Sequence, residues 1–548
     1  MGGVRRWVVG RKPKLDLGGV ALPLKASTES FVSLRNVWAA LAPSYLRERA
    51  ADFRRLDAYV DSSRKAGSYG SVGPSFALRR RITRESGPAT RAVELGARLL
   101  LDGTGASYPN RTIIFPGVDE VDSLTLRTLA RAAILLTDDK GLRFVFSSTV
   151  DPRRVDAKNL ADLSRAMILM NAARYGGFVF EVNELGSLPP RTVEALPLSQ
   201  AAVDLVAHNY ESALMICDRS SEVGDDLAES LRMSALAAAN IGALDDAESL
   251  LERAIKSTCD SGARAHLYCL LGLLATKRRS DLDASEAFIE NGLRELDLRG
   301  GGLADEFVER AWLINARALN FALEYRRTGD LAFFRAAHDL EVKASGFVAA
   351  GGSHERTYVR MNLLGNIAFL WESAKQPRNA IHIFEQVFEK RVSSDSLAQA
   401  TLGYRLAVLH AKAGNYERAD QVLSGLDYNM PPEEWYLVDH LLRVRAHVAT
   451  QAGRLMEAER LAKRGCDLAL ATRSYGAFVA HSQAMLRILE QVGRELEMRE
   501  LIERAAELGV TSQSLDQPLS LRPKLPAYFP EIDLEDIPSH DTNMRLSV

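Results

Sequence analysis

Cysteine is scarce in this chain of 548 residues: Cys217, Cys259, Cys269 and Cys466 stand far apart, with no C-x-x-C pair and no histidine at metal-ligand spacing. That excludes a disulfide framework and a zinc module, and it reads each thiol as a small neutral hydrophobe. Long apolar runs are also missing. The closest, LYCLLGLLAT at 267–276, is about half of the roughly 18 residues that a membrane span requires. MGGVRRWVVGRKPK at the N-terminus is basic but lacks an h-region and a small-residue cleavage site, so a cytoplasmic location is expected. Catalytic signatures are absent too: there is no H-E-x-x-H, no G-x-S-x-G and no dinucleotide G-x-G-x-x-G. The glycines of AGSYGSVGPS (66–75) have no lysine beside them and follow no strand, which leaves a loop. No nucleophile, metal or cofactor site is specified, the ten scattered histidines read as structural, and no enzyme activity is expected.

What is present is an ordinary globular composition, 47% hydrophobic and 26% charged, in a chain too long for one core. The net charge of −2 hides an asymmetry. Residues 1–100 hold 19 Lys and Arg against 8 Asp and Glu, so they carry +11 and the rest carries −13. A basic segment can meet a nucleic-acid backbone, an acidic partner or the chain's own acidic half. Aromatic interleaving and a reading helix are missing, so nucleic acid is the weaker alternative and Arg79–Arg81 reads as a solvated face.

From about residue 196 to 508 one helix-turn-helix frame recurs. In GNYERADQVL (414–423) a glycine closes one helix, an aromatic opens the next, and a small residue follows where two helices must approach closely. GALDDAESLL (242–251) and GRLMEAERLA (453–462) repeat it. HNYESALMIC (208–217), RSDLDASEAF (279–288), KQPRNAIHIF (375–384) and GRELEMRELI (493–502) are weaker copies. The small position falls at Ala213, Ala247, Ala284, Ala380, Ala419, Ala458 and Met498, with LEYRRTGDLAFF (323–334) as a degenerate unit inside the one long gap. About eight hairpins are expected. The frame resembles the tetratricopeptide repeat family, with Leu271-Gly272 early in a first helix and Gly414, Tyr416 and Ala419 around a turn, although spacings near 39 exceed the family's usual length. The resemblance implies an all-α solenoid that stacks hairpins into one core and binds a protein or peptide on its surface. Tyr416, Trp371 and Phe384 read as repeat core. Residues 509–548 break the period and hold five of the 19 prolines, as an extended acidic tail would.

In residues 1–195 strands alternate with helices, as an α/β domain with a parallel sheet requires. Strands are expected at 18–24, 111–115, 142–148 and 178–182, and helices at 30–42, 123–136 and 157–174. The stretch IIFPGVDEVD (113–122), a hydrophobic strand running into carboxylates, is similar to the Walker B strand of signal-transduction ATPases with numerous domains, the group of NACHT and NB-ARC proteins. That resemblance implies a P-loop NTPase-like fold, and three stations then lack their charged group. At Walker B, Pro116 replaces the first acid while Asp119 and Glu120 match the later pair. At Walker A, expected in PLKASTES (23–30), Pro23 and Thr28 replace glycines, Glu29 replaces the lysine, Ser30 keeps the hydroxyl and Lys25 lies nearby. Reversing +1 to −1 beside a triphosphate turns attraction into repulsion. At the sensor strand, Ser147-Ser148-Thr149 ends without the arginine, and Arg153 and Arg154 are displaced. A second alignment takes VDEVDSL (118–124) as an AAA-type Walker B and restores Asp119 and Glu120, but sets Pro-Gly against a central strand. The expectation is therefore a degenerate ATPase-like domain fused to a binding solenoid, a non-enzymatic scaffold with no cofactor. The alternative is a regulator that still binds ATP or ADP.

Overall fold

The computed structural model describes residues 5–9, 20–22, 24, 32–68, 87–118, 121–136, 142–148, 178–182, 214, 217, 225–240, 243–298, 304–349, 354–391, 396–426, 433, 435–472 and 474–507. These fall into two compact units, one within Met1–Asn320 and one within Phe321–Pro526. The expected boundary at 195/196, the helix expected at 157–174 and the tail from 509 lie outside the described residues.

Short runs of β-branched and aromatic residues, of the kind that suit a sheet covered on both faces, build the strands. They are β1 (Arg5–Val9), β2 (Val20–Ala21), β3 (Thr112–Pro116), β4 (Arg143–Ser148) and β5 (Phe178–Val182). The sheet order is β2-β3-β4-β1-β5, and every pairing is parallel. Strand β1 went unpredicted, because Arg5-Arg6 precede its apolar triplet, yet it lies in the interior between β4 and β5. The strand expected first, at 18–24, is second in the chain and occupies an edge beside β3. Helices α1 (Val32–Ala39), α2 (Pro43–Glu48), α3 (Ala50–Ser68), α4 (Gly87–Ser107) and α5 (Ser123–Leu135) accompany it, with α4 packed on α3 and α5. Phe115 centres this core: its ring stacks on Phe146 at 5.5 Å and meets Phe144 edge-on at 5.3 Å.

Seven helical hairpins follow among the described residues, of which α6 (Asp225–Asn240) with α7 (Leu244–Ser257), and α8 (Ser261–Leu274) with α9 (Leu282–Leu298), lie in the first unit. The dividing point falls inside α10 (Ala304–Thr328), which pairs in sequence with α11 (Leu331–Phe347). The second unit continues with α12 (His354–Ser373) and α13 (Pro377–Arg391), α14 (Ser396–Lys412) and α15 (Tyr416–Ser424), α16 (Trp435–Gln451) and α17 (Leu455–Ala471), and α18 (Tyr475–Val492) and α19 (Glu495–Glu507). From α11 to α19 each helix packs on the next. The hairpin expected around Ala213 lies outside the described residues apart from positions 214 and 217.

The backbone explains the frame read in the sequence. Gly329, Gly414, Gly453 and Gly493 all have φ between +74 and +77°, the left-handed turn in which glycine is least strained. Lys375, at the equivalent turn, takes φ +57° without being a glycine. Five residues beyond each turn residue the chain meets its neighbour, and Ala247, Ala380, Ala419 and Ala458 are fully buried there. Three units depart from the rule, and in the one after Gly493 the station is the half-buried Met498. In the degenerate unit the station is Phe334, whose ring meets Trp371 at 5.0 Å and Tyr325 at 5.5 Å, so an aromatic fills the place of an alanine. In the third, the expected Ala284 is only half-buried and the fully buried residue is Ser285. The cause is a π-helical turn at Ala275–Arg279, which lengthens the first helix before Ser280 turns at φ +55°. Thr276 Oγ1 lies 2.7 Å from both Ser285 Oγ and Asn320 Oδ1, which ties the π turn to α9 and to the first helix of the next hairpin, α10.

Candidate functional site

Of the nine positions that the ATPase resemblance selects, only Pro116 is described; Pro23, Lys25, Thr28, Glu29, Ser30, Asp119, Glu120 and Thr149 lie outside the described residues. Pro116 is the last residue of β3 and stands opposite Ser147 of β4. Ile114 accepts from Leu22 N on the β2 side and Arg111 accepts from Arg143 N on the β4 side, so even-numbered residues of β3 face β2. With Ala21 opposite Ile114 and Leu22 N donating to Ile114, a parallel ladder directs the N–H of position 116 at the Leu22 carbonyl, so Pro116 removes one bond from the β2 side of β3. Gly117 then turns the chain off the sheet at φ +71°.

The third acid of IIFPGVDEVD, Asp122, has a structural task. Asp122 caps α5: Oδ1 accepts from Thr125 N at 2.8 Å and Oδ2 from Thr125 Oγ1 at 2.6 Å. Behind it, Glu94 of α4 and Arg131 of α5 are both buried and joined at 2.7 Å, with Arg98 adding a bond of 2.9 Å. Burial alone would raise the Glu94 carboxyl, but Arg131 and Arg98 hold it below the usual carboxylate range. Neither group was legible in the sequence as a partner of the other, 37 residues apart.

A second polar cluster, also missed, lies in the second unit. Asp439 and Arg443 of α16 and His481 of α18 are at most 3% exposed. Asp439 Oδ1 accepts from His481 Nε2 at 2.7 Å, while Oδ2 meets Arg443 and lies 3.0 Å from His440 Nδ1. Burial opposes the Asp439 charge, yet Arg443 and the bonds from both histidines hold its carboxyl well below the usual range. Burial, then the Arg443 charge, pushes His440 below the usual imidazole range. Cys466 lies at the edge of this cluster, 3.9 Å from Ser482 Oγ, and burial pushes its thiol up to about 11. Such a thiol is not a ready nucleophile at neutral pH. The cluster is charge-compensated and closed, suited to holding α16 and α18 in register.

The array also has a face. In the second unit first helices lie side by side, α14 against α16 and α16 against α18. His447 of α16 and the exposed Arg487 of α18 meet along it; burial and then the Arg487 charge push His447 down. Trp371, Phe384 and Tyr416, read as core, pack in or against the hydrophobic clusters between hairpins. Among the described residues no helix is long and apolar enough to cross a membrane, and no group of three or more His, Cys, Asp or Glu is placed to hold a metal ion.

No family model and no curated protein matches the sequence. Among solved structures the chain is similar to a signal-transduction ATPase with numerous domains bearing a tetratricopeptide repeat sensor, from Pyrococcus horikoshii, at 10% identity over 99% of this chain and 93% of that one, with a TM-score of 0.35. It is also similar to yeast Tom70, at 14% identity over 88% and 93% of the two chains, with a TM-score of 0.34.

Proposed function

We propose that the chain is a non-enzymatic binding scaffold, in which the hairpin array captures a protein or peptide segment and the α/β domain is a degenerate P-loop NTPase-like module. The observation that carries this reading is the side-by-side placement of first helices, which makes one continuous face out of residues remote in sequence. The closed Asp439 cluster and the capping role of Asp122 fit a chain whose polar groups serve structure. The test is a peptide selection against the full chain, followed by calorimetry on the enriched peptide and on Arg487→Glu. Enrichment with weakened binding by the variant supports the reading; a selection that enriches nothing sinks it.

A second reading has its own observation. All five strands are parallel, so their carboxyl ends share one edge, and parallel α/β sheets bind ligands at that edge. A regulator that still holds ATP or ADP there gains stability by RT ln(1 + [L]/Kd). A rise in Tm with millimolar Mg·ATP or ADP favours it, and an unmoved Tm leaves the scaffold alone.

A further inference from the structure

Arg443 of α16 touches two acceptors with one nitrogen. Its Nη2 meets Asp439 Oδ2 and lies 2.7 Å from His440 Nδ1. A guanidinium donates and never accepts, so Nδ1 presents its lone pair and His440 is neutral, with its proton on Nε2. The two acceptors are themselves 3.0 Å apart, held together by the cation between them. On the other carboxylate oxygen, His481 Nε2 donates to Oδ1 at 2.7 Å. The four side chains are at most 6% exposed.

A proton added at His440 Nδ1 does not fit this arrangement. It sets two donors 2.7 Å apart and puts a second cation into a site closed to water. Relief lies 3.0 Å away, where Asp439 Oδ2 can accept from Nδ1–H once Arg443 leaves it. A proton added at His481 Nδ1 instead would leave the Nε2 bond to Oδ1 in place. The charges that act on His440 are those of Arg443, Asp439 and His481. From α14, Tyr404 faces it with ring centroids 6.1 Å apart. Helices α15 and α17 also pack on α16, and their acids Asp420 and Glu457 meet Arg445.

We propose that protonation of His440 exchanges the partners of Asp439: Nδ1–H takes Oδ2, Arg443 is released towards water, and the seam between α14 and α16 opens while the His481 bond keeps α16 on α18. Arg443 is 2% exposed, so it reaches water only when the helices around it part. The α18 side is tied to Asp439 through His481, so the side that yields is α14, which meets His440 through the ring of Tyr404. The exchange belongs to the array alone and holds whether or not the array captures a segment.

The test uses the full chain with isotope-labelled histidine, whose two-bond proton–nitrogen spectra read the tautomer of each ring; His440→Gln assigns the His440 signals. Burial and then the Arg443 charge hold His440 below the usual imidazole range, so the step is read between about pH 7.5 and about pH 5. At the higher pH the Nδ1 signal is expected to be that of a lone pair, and at the lower that of N–H. Amide exchange, corrected for its intrinsic pH dependence, is expected to quicken about tenfold in α14 over that step and to change little in α18. His440→Gln should abolish the acceleration. Arg443→Gln removes the competing cation, so His440 should take its proton at a higher pH and α14 should stop responding. A wild-type Nδ1 that carries a proton at about pH 7.5 overturns the proposal. So does a proton gained with α14 unchanged, an acceleration spread evenly over α14 and α18, or one that persists in both variants.

Discussion

Gly465 of α17 leaves the space that the ring of His481 fills: a Cβ built on Gly465 would lie 2.1 Å from ring Nδ1 and Cε1. Mid-helix glycine costs about 1 kcal/mol relative to alanine, so its presence calls for a reason, and this contact is the reason. Gly465→Ala is expected to destabilise the second unit by about 1–3 kcal/mol despite the better helix former, since His481 is fully buried and has nowhere to move. Denaturant unfolding checks it. Adding His481→Ala should make the alanine at 465 much less costly, and a double variant in which it costs as much as in the wild-type background would refute the contact.

Asp439 joins α16 to α18 through His481 and compensates Arg443 in a site closed to water. Asp439→Asn leaves that guanidinium without its counter-charge, and loss of one partner of a buried pair costs about 3–5 kcal/mol. The sign of the pH dependence follows from both groups. A carboxyl depressed in the fold contributes stability above its unfolded pKa of about 4, lost as pH falls through the lower folded value. His440, also depressed, favours the fold while neutral, so its contribution erodes as pH drops below about 6.5. Tm should therefore fall as pH drops below about 6.5, the part of the slope that His440→Gln should reduce, and fall further below about pH 4, where Asp439 begins to lose its charge. A slope unchanged in the variant removes His440 from the explanation.

The array was legible because its signals are local. A turn glycine and a small residue five places later lie in one short window, and the left-handed glycines at 329, 414, 453 and 493 fall on those turns. The frame slipped by one residue at Ala284 because a π turn inserts a residue without any change of composition. Strand β1 was missed for a different reason: Arg5 and Arg6 made it read as a basic leader, whereas parallel pairing with β4 and β5 depends on partners more than 130 residues away. Polar clusters were illegible altogether, since Asp439 and His481 are 42 residues apart and neither spacing nor type marks them as partners. Of the candidate nucleotide positions, Pro116 alone lies among the described residues, as the last residue of β3 opposite Ser147.

Turn arginines brace consecutive hairpins. Arg494 Nη1 lies 2.8 Å from Glu459 Oε2 of the preceding second helix, and Arg454 Nη1 lies 2.9 Å from Asp420 Oδ2 in the same relation. Both arginines are about a third exposed or more, so solvent screens them and each pair contributes little to stability. Arg454→Ala and Arg494→Ala should each shift the denaturant midpoint slightly, and the shifts should shrink in high salt. A loss of several kcal/mol from either would mean that the side chain's packing, not its charge, dominates.

Phe334 occupies the alanine station of the degenerate hairpin, against Trp371, Tyr325 and His338. Restoring the common residue, Phe334→Ala, should therefore not improve the repeat. It should open a cavity and cost about 3–5 kcal/mol, as large-to-small changes of buried aromatics do. Phe334→Leu should recover most of the loss. A neutral alanine variant would show that neighbouring hairpins can close up to the usual spacing.

Glu341 of α11 stands seven residues beyond Phe334, where α17 has Gly465, and it is only 3% exposed. Asn366 Nδ2 of α12 donates to its carboxylate at 3.3 Å. Burial, only partly offset by that bond, raises the carboxyl well above its ordinary value. A raised acid disfavours its charged form in the fold, so its contribution to stability is fully present below the unfolded pKa of about 4.3 and is lost as pH rises through the folded value. Glu341→Gln keeps the shape and the acceptor for Asn366 but cannot ionise. At pH 8 the variant should be more stable than the wild type by about 1–2 kcal/mol, and the difference should vanish near pH 4. Opposite behaviour, with the glutamine variant weaker at pH 8 and equal at pH 4, would mean that Glu341 is charged in the fold and held by a cation.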